Sequence, residues 1–215
     1  MTNVAVVGAG SIGSFLTLLL AKLGRFRIAV YDNDFVDHHN ILNQLYRAKD
    51  TPRPRSEKRH KRQKVDALKE IVSDLTGAVI ETHNEKVGEK NELHGIVIVT
   101  VDSMASRKAI FKACKFKVNI PMYIDARSGG DGALIYAFDP RDIDHVTEYE
   151  ETLYDDEGAI PAPCATQETV PILWTIAPII ARLIVSSFQK GRILYSYTTV
   201  NMENLLRVST VEVKE

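Results

Sequence analysis

Only two cysteines, Cys114 and Cys164, and one tryptophan occur in these 215 residues. Two isolated cysteines cannot build a tetrahedral all-cysteine metal site, and they imply no disulfide framework. Such sparse usage fits a reducing, cytoplasmic compartment. No uninterrupted apolar run is long enough to span a bilayer, so a membrane protein is not expected. The apolar N-terminus has no basic leader and is broken by glycines after one strand, which excludes a signal peptide. Charge is not biased to one sign either: the formal net charge is −1, with 45% hydrophobic and 26% charged residues. These are the values of a globular chain long enough to bury a substantial core. No internal repeat or interdomain linker interrupts it, and residues 1–215 read as one domain.

The N-terminal stretch carries the most information. Gly8, Gly10 and Gly13 follow the apolar run Val4-Ala5-Val6-Val7 and open the run Phe15 to Ala21. In a strand-to-helix turn the first glycine permits the bend, the second lets backbone N–H groups approach a phosphate, and the third lets helix and strand pack closely. The helix N-terminus adds partial positive charge. Asp32, closing the second apolar run Arg27 to Tyr31, sits where an acidic residue grips a ribose hydroxyl. NAD, FAD and ATP all satisfy that test. The polar residues beyond it, Asp34, Asn40 and Gln44, exceed what a dinucleotide site needs directly after its second strand.

Along the chain the pattern predicts strand, helix and strand through Tyr31, a helix from about Glu57 to Leu75, and short strands near Val79 and Ile96. A helix from Ser103 to Lys115 and a strand at Met122–Asp125 follow. That alternation implies an α/β fold with a Rossmann-like, doubly wound, mainly parallel sheet. Beyond it come a strand Ala133–Phe138, an apolar helix from about Thr169 to Gln189, and strands Ile193–Val200 and Leu205–Val213, which extend the sheet in antiparallel fashion. Pro171 suits the first turn of that helix, whereas Pro178 should kink it.

The order of these elements resembles the ThiF/MoeB/HesA family, relatives of the ubiquitin-activating enzymes. Its pattern runs glycine loop, strand, D-x-D-x-V-x-x-x-N-x-x-R-Q, then a lysine. Asp32, Asp34, Val36, Asn40 and Gln44 match it, Lys64 matches the lysine, and Asp102 to Arg107 resembles the family's D-N-x-x-x-R. The resemblance covers roughly the first two-thirds of the chain. It implies ATP-dependent adenylation of the C-terminal carboxylate of a ubiquitin-like protein, a sulfur-carrier protein or a peptide. In that chemistry Asp32 would hold the ribose, and Asn40 would donate hydrogen bonds as the α-phosphate is attacked. Lys64 would neutralise phosphate charge, Asp34 would orient neighbouring polar groups, and Asp102 would bind Mg²⁺ together with phosphate oxygens. The bland alternatives are an N-cap for Asp102 and a solvated helix position for Lys64. Related enzymes pair, so a homodimer is expected. The two Cys-x-x-Cys pairs that hold a structural zinc in many members are missing, so no structural zinc is expected.

Two departures stand out. Asn43 occupies the place of an arginine near the triphosphate, so another cation must serve, with Arg47, Arg107 and Arg127 as candidates. The chain also begins almost at its first strand, without an N-terminal helix to carry the arginine that some members lend across a dimer. Of the cysteines, Cys114 reads as a small packed residue. Cys164 lies in a proline-rich loop, within a segment of about 140–168 that precedes the long apolar helix. Its Pro-x-Pro-Cys-x-Thr setting resembles the catalytic cysteine segment of ubiquitin-activating relatives, which implies attack on the acyl-adenylate to form a thioester.

Charge is segregated. Arg47 to Lys64 is strongly basic, and Asp139 to Glu157 is dominated by acids. The basic segment lacks interleaved aromatics to stack bases, which argues against nucleic acid. It reads instead as a mobile crossover loop closing over ATP, with a plain solvated loop as the alternative. The competing functions are an NAD(P)-dependent oxidoreductase, supported by the glycine turn and Asp32, and a non-catalytic nucleotide-binding scaffold, suggested by Asn43.

Overall fold

Residues with β-branched or aliphatic side chains on both faces of a strand can be satisfied only between two layers, and the Ile96–Val99 segment is buried at all four positions. The computed structural model describes residues 1–52, 61–155, 169–203 and 206–213. It places strands β1 (Thr2–Val7), β2 (Phe26–Tyr31), β3 (Glu81–His83), β4 (Ile96–Val99), β5 (Met122–Gly129), β6 (Gly132–Phe138), β7 (Tyr195–Asn201) and β8 (Arg207–Glu212) in one sheet. The spatial order is β3-β2-β1-β4-β5-β6-β7-β8. The first five strands are parallel to their neighbours and the last three antiparallel. This is the mixed, Rossmann-like sheet the sequence pattern implies.

The parallel strands alternate between two apolar layers. Val4, Val6, Ile28, Val30, Ile98 and Ile124 face helices α1 (Gly13–Leu23), α2 (Lys64–Thr76) and α5 (Val170–Lys190). Ala5, Val7, Val97, Val99 and Tyr123 face α3 (Met104–Cys114) and α4 (Ile143–Glu150). In that second layer Phe111, Tyr123, Phe138 and Tyr149 pack ring to ring with centroids 4.7–6.1 Å apart. Cys114 lies in the same layer, fully buried, and burial pushes its thiol up to about 12. It is packed as a small apolar residue, as expected.

Several boundaries differ from the sequence reading. Among the described residues α2 begins at Lys64 rather than near Glu57, because Phe35 and Gln63 form an antiparallel bridge that holds residue 63 extended. Val79 is exposed and precedes the strand, which starts at Glu81. The acidic stretch forms a helix, α4, whose apolar positions Val146 and Tyr149 point into the core while its carboxylates face water. Helix α5 continues through Pro178 as one element. That helix is also long and apolar enough, by length and composition, to cross a membrane, although Arg182 interrupts its apolar run. Its apolar content is explained by burial of Ile172, Leu173, Ile176, Ala177, Ile180, Ala181, Leu183 and Ile184 against the sheet and α1.

Candidate functional site

Strand order reverses beside β1, whose neighbours β2 and β4 lead their chains to opposite edges of the sheet. A crevice must open there at the carboxyl ends of the strands. It does: a cleft of ≈ 840 Å³ is lined by the glycine turn, Asp32, Asp34, Asn40, Asn43, Gln44, Lys64, Asp102 and Arg107, and extends to Ala126–Gly130, Tyr154, Ile172 and Leu173. Apart from Gly13, Cys164 and the candidate cation Arg47, every residue named from the sequence for catalysis or nucleotide binding lies on its wall. Gly13 is buried behind the turn, and Cys164 falls outside the described residues.

The glycines divide their work by geometry. Gly8 has φ +99°, a conformation that side chains rarely adopt. A Cβ on Gly13 would stand 1.9 Å from the Gly8 carbonyl oxygen, so only glycine lets α1 start this close to β1. A Cβ on Gly10 would meet nothing within 4 Å, because that position faces the open cleft. No side chain caps the N-terminus of α1 at Ile12. Ser14 N–H is taken by the Gly10 carbonyl at 3.0 Å, and the positive end of the helix still favours an anion.

The turn is fixed from behind by groups that the sequence reading did not single out. The Tyr46 hydroxyl donates to the Ala9 carbonyl at 2.6 Å, the Thr100 hydroxyl lies 2.9 Å from the Gly8 carbonyl, and Leu45 N–H donates to the Ser14 hydroxyl at 3.2 Å. Burial raises the Tyr46 phenol well above its ordinary pKa, so it stays a neutral donor. Asp32 accepts from Ala9 N–H through one carboxylate oxygen and from Asp34 N–H through the other, both at 2.7 Å. Each oxygen keeps a lone pair for a ribose hydroxyl.

Lys64 reaches the cleft because residues 34–36 and 62–64 pair. Val36 N–H donates to the Arg62 carbonyl at 2.8 Å, and Lys64 N–H to the Asp34 carbonyl at 2.9 Å. The Lys64 ammonium then donates to the Asp34 carboxylate at 2.9 Å, leaving two further donors for a ligand. Asp34 thus positions Lys64. Asn40 is buried, and its side-chain oxygen accepts from Asp37 N–H at 2.8 Å. Its amide nitrogen is thereby left as the donor. Next to it the side-chain oxygens of Asn43 and Gln44 are buried without a partner. Unpartnered buried polar atoms are costly, and both residues line the cleft.

Asp102 is exposed in the cleft, and among the described residues its carboxylate has no hydrogen-bond or ion-pair partner. It is not the cap of α3; the Ser103 hydroxyl takes that place, accepting from Ser106 N–H at 3.2 Å. The three candidate replacement cations separate cleanly. Arg47 does not line the cleft: it is bound to Asp50 at 2.9 Å, Glu70 at 2.9 Å and Asp74 at 3.0 Å on the outer side of α2. Arg107 and Arg127 do line it. Both are held by Asp125, which is fully buried. The described ends of the basic segment are likewise tied down, with Arg62 on Asp50 and Glu70; residues 53–60 lie outside the described residues, so the expected closure over ATP does too.

A model of the ThiF family matches residues 1–210. The adenylyltransferase and sulfurtransferase MOCS3 of Anopheles gambiae is 30% identical over 118 residues, covering 52% of this chain and 25% of that protein. The corresponding MOCS3-1 of Zea mays is 30% identical over 137 residues, covering 62% and 28%. The chain therefore spans about a quarter of the length of these curated relatives. Among solved structures, PaaA superimposes with a TM-score of 0.69 at 18% identity, covering 100% of this chain and 73% of that one. E. coli MccB with ATP gives 0.68 at 16% identity, covering 98% and 63%. These likenesses establish the fold.

Proposed function

The chain belongs to the ThiF family, and on that premise we propose that it adenylates the C-terminal carboxylate of a ubiquitin-like protein, a sulfur-carrier protein or a peptide, using ATP and Mg²⁺. The observation that carries this reading is the exposed, unpartnered Asp102 carboxylate in the same cleft as the glycine turn, Asn40 and Lys64. Relatives named as adenylyltransferases, and E. coli MccB solved with ATP and with AMPCPP and MccA, support the nucleotide and a peptide-like acyl partner.

The residues present fit the nucleotide. Asp32 takes the ribose, the glycine turn beyond Ala9 takes the phosphates, and the side-chain oxygens of Asn43 and Gln44, without a partner among the described residues, offer acceptors to a ligand. Mg²⁺ needs only one or two carboxylates when phosphate oxygens and water complete its shell, and Asp102 supplies one. When bound, the ion neutralises phosphate charge. In the reaction a carboxylate oxygen of the acyl substrate attacks the α-phosphorus and forms a P–O bond; the bond to the bridging oxygen of the β-phosphate breaks, and pyrophosphate leaves. Asn40 donates to the oxygen on which charge develops, and Lys64 balances charge on the phosphates. The Cys164 thiolate then attacks the acyl carbon, giving a thioester and AMP. We place this chemistry in the cytoplasm and in a homodimer.

ATP–pyrophosphate exchange tests the reading. Exchange should require an acyl substrate and fall by at least about 100-fold in Asp102→Ala, the scale of losing one electrostatic group in the transition state. The melting temperature should be unchanged, since Asp102 has no hydrogen-bond or ion-pair partner among the described residues. Exchange that survives the substitution would sink the proposal. For the thioester, incubation with lysate and Mg-ATP should yield a thiol-sensitive adduct that Cys164→Ala abolishes.

A further inference from the structure

The cleft continues past the residues that a nucleotide occupies, and its far lobe is built around a cation. Arg127 lies on β5 with its guanidinium bound at Nε to Asp125 at 2.7 Å and at the two terminal nitrogens to the Thr152 carbonyl at 3.0 Å and hydroxyl at 2.9 Å. It stacks over the Tyr136 and Tyr149 rings at 4.7 and 5.5 Å. Five N–H groups are available to an arginine, and three are used here. The other two have no partner among the described residues. Asp125 also takes Arg107 and the Tyr149 hydroxyl, so two guanidinium groups share one carboxylate, leaving one positive charge in excess. Beside it Gly129 and Gly130 would place a Cβ against nothing within 4 Å, which keeps the lobe open.

Distance decides what this cation meets. On the adenylation reading the phosphates would sit at the glycine turn after β1, and β5 is the second strand away, past β4. With strands about 4.8 Å apart, the separation is about 10 Å. An extended peptide covers that distance in about three residues. Arg127 is therefore too far along the sheet for the reacting carboxylate and correctly placed for a side chain just upstream of it. A rigid guanidinium with free N–H groups and uncompensated charge recognises carboxylate.

We propose that Arg127 is a specificity-determining residue that selects acyl substrates bearing an aspartate or glutamate at the second or third residue from the C-terminus. The direction of the tail rests on the adenylation reading above. Asp125 is the positioning residue that fixes the guanidinium.

The test uses the full chain with AMPCPP and Mg²⁺ and fluorescein-labelled heptapeptides that differ only at those two residues, carrying glutamate, glutamine or lysine. By fluorescence anisotropy the glutamate peptide should bind at least about 10-fold tighter than the lysine peptide, the scale of a charge-assisted hydrogen bond. Arg127→Glu should invert the order, which a purely structural arginine would not do, and Arg127→Lys should retain it weakly. Equal affinities for the glutamate and lysine peptides, absence of binding by either, or an unaltered order in Arg127→Glu overturns the inference. The wild-type comparison alone is decisive if a variant fails to fold. Exchange measured on the same samples separates the two ideas: an acidic preference without exchange sinks adenylation but leaves Arg127 its role, and exchange without preference does the reverse.

Discussion

The two ends of the cleft are made of different materials. The end at the glycine turn is mostly backbone: a φ that side chains rarely adopt, a start of α1 with no side-chain cap, and Asp32 directly after a strand. The far end is side chain: two arginines, one buried aspartate and a tyrosine gathered from β5, α3 and α4, with Arg107 and Tyr149 18 and 24 positions from Asp125. A backbone wall keeps its shape when a single side chain is lost but is intolerant of an added one. A side-chain cluster behaves oppositely, since each member leaves a buried charge stranded when a partner goes.

The largest effect follows from that contrast. Asp125→Ala removes the shared acceptor of Arg107 and Arg127 while leaving both cations where they are, and breaking a buried ion pair in this way costs about 3–5 kcal/mol. Urea denaturation should show it. Adding Arg107→Met to Asp125→Ala should recover part of the loss, because one stranded charge is then gone. A loss below about 1 kcal/mol, comparable to an exposed pair, would break the comparison.

A smaller effect separates two glycines of one turn. Gly13→Ala drives a Cβ into the Gly8 carbonyl and the Thr100 hydroxyl and should cost about 1–3 kcal/mol, with nucleotide affinity falling as the turn shifts. Gly10→Ala meets no protein atom, so its melting temperature should stay close to wild type while ATP binding weakens. Calorimetric melting and titration with ATP, run on both variants, decide the matter. If both lose stability equally, the turn is not divided between packing and ligand.

The same contrast explains what could be read in advance. Gly8, Gly10, Gly13 and Asp32 are legible because short spacing beside strand ends survives in the sequence, whereas Asn40 and Lys64 stand out only through the family pattern they match. The parallel sheet was legible for a similar reason: strands buried on both faces read as apolar runs, as at Val4–Val7 and Ile96–Val99. Asp125 was not legible. Its neighbours Ile124 and Ala126 face the other layer, and nothing in Ile-Asp-Ala-Arg tells that Arg107 will arrive from α3. Helix α4 was obscured because its carboxylates dominate the composition while only Val146 and Tyr149 anchor it. Arg47 was misjudged for a related reason: basic residues near a phosphate site look available until their acidic partners, here in α2, are known.

Those partners give the smallest prediction, and it sharpens the comparison by testing cations that the cleft does not use. Burial acts to raise the Asp50 carboxyl, but hydrogen bonds from Arg47 and the charges of Arg47 and Arg62 hold it below its ordinary value. Hydrogen bonds from Lys49 and Arg62 bring Glu70 to about 2, from an ordinary 4.5. A carboxylate whose pKa is lowered on folding contributes stability that is complete above its unfolded value and is lost as pH falls through the folded one. The contribution of Glu70 is therefore intact above pH 4.5 and fades as the pH approaches about 2. Comparing the melting temperature of the chain with that of Glu70→Gln across this window should show a gap that narrows steadily on acidification. Because Glu70 is solvent-exposed, that gap should be modest and should shrink in high salt. A gap that stays constant with pH would mean that Lys49, Arg62 and Arg47 are not engaged there, and would return Arg47 to the candidate cations for the nucleotide.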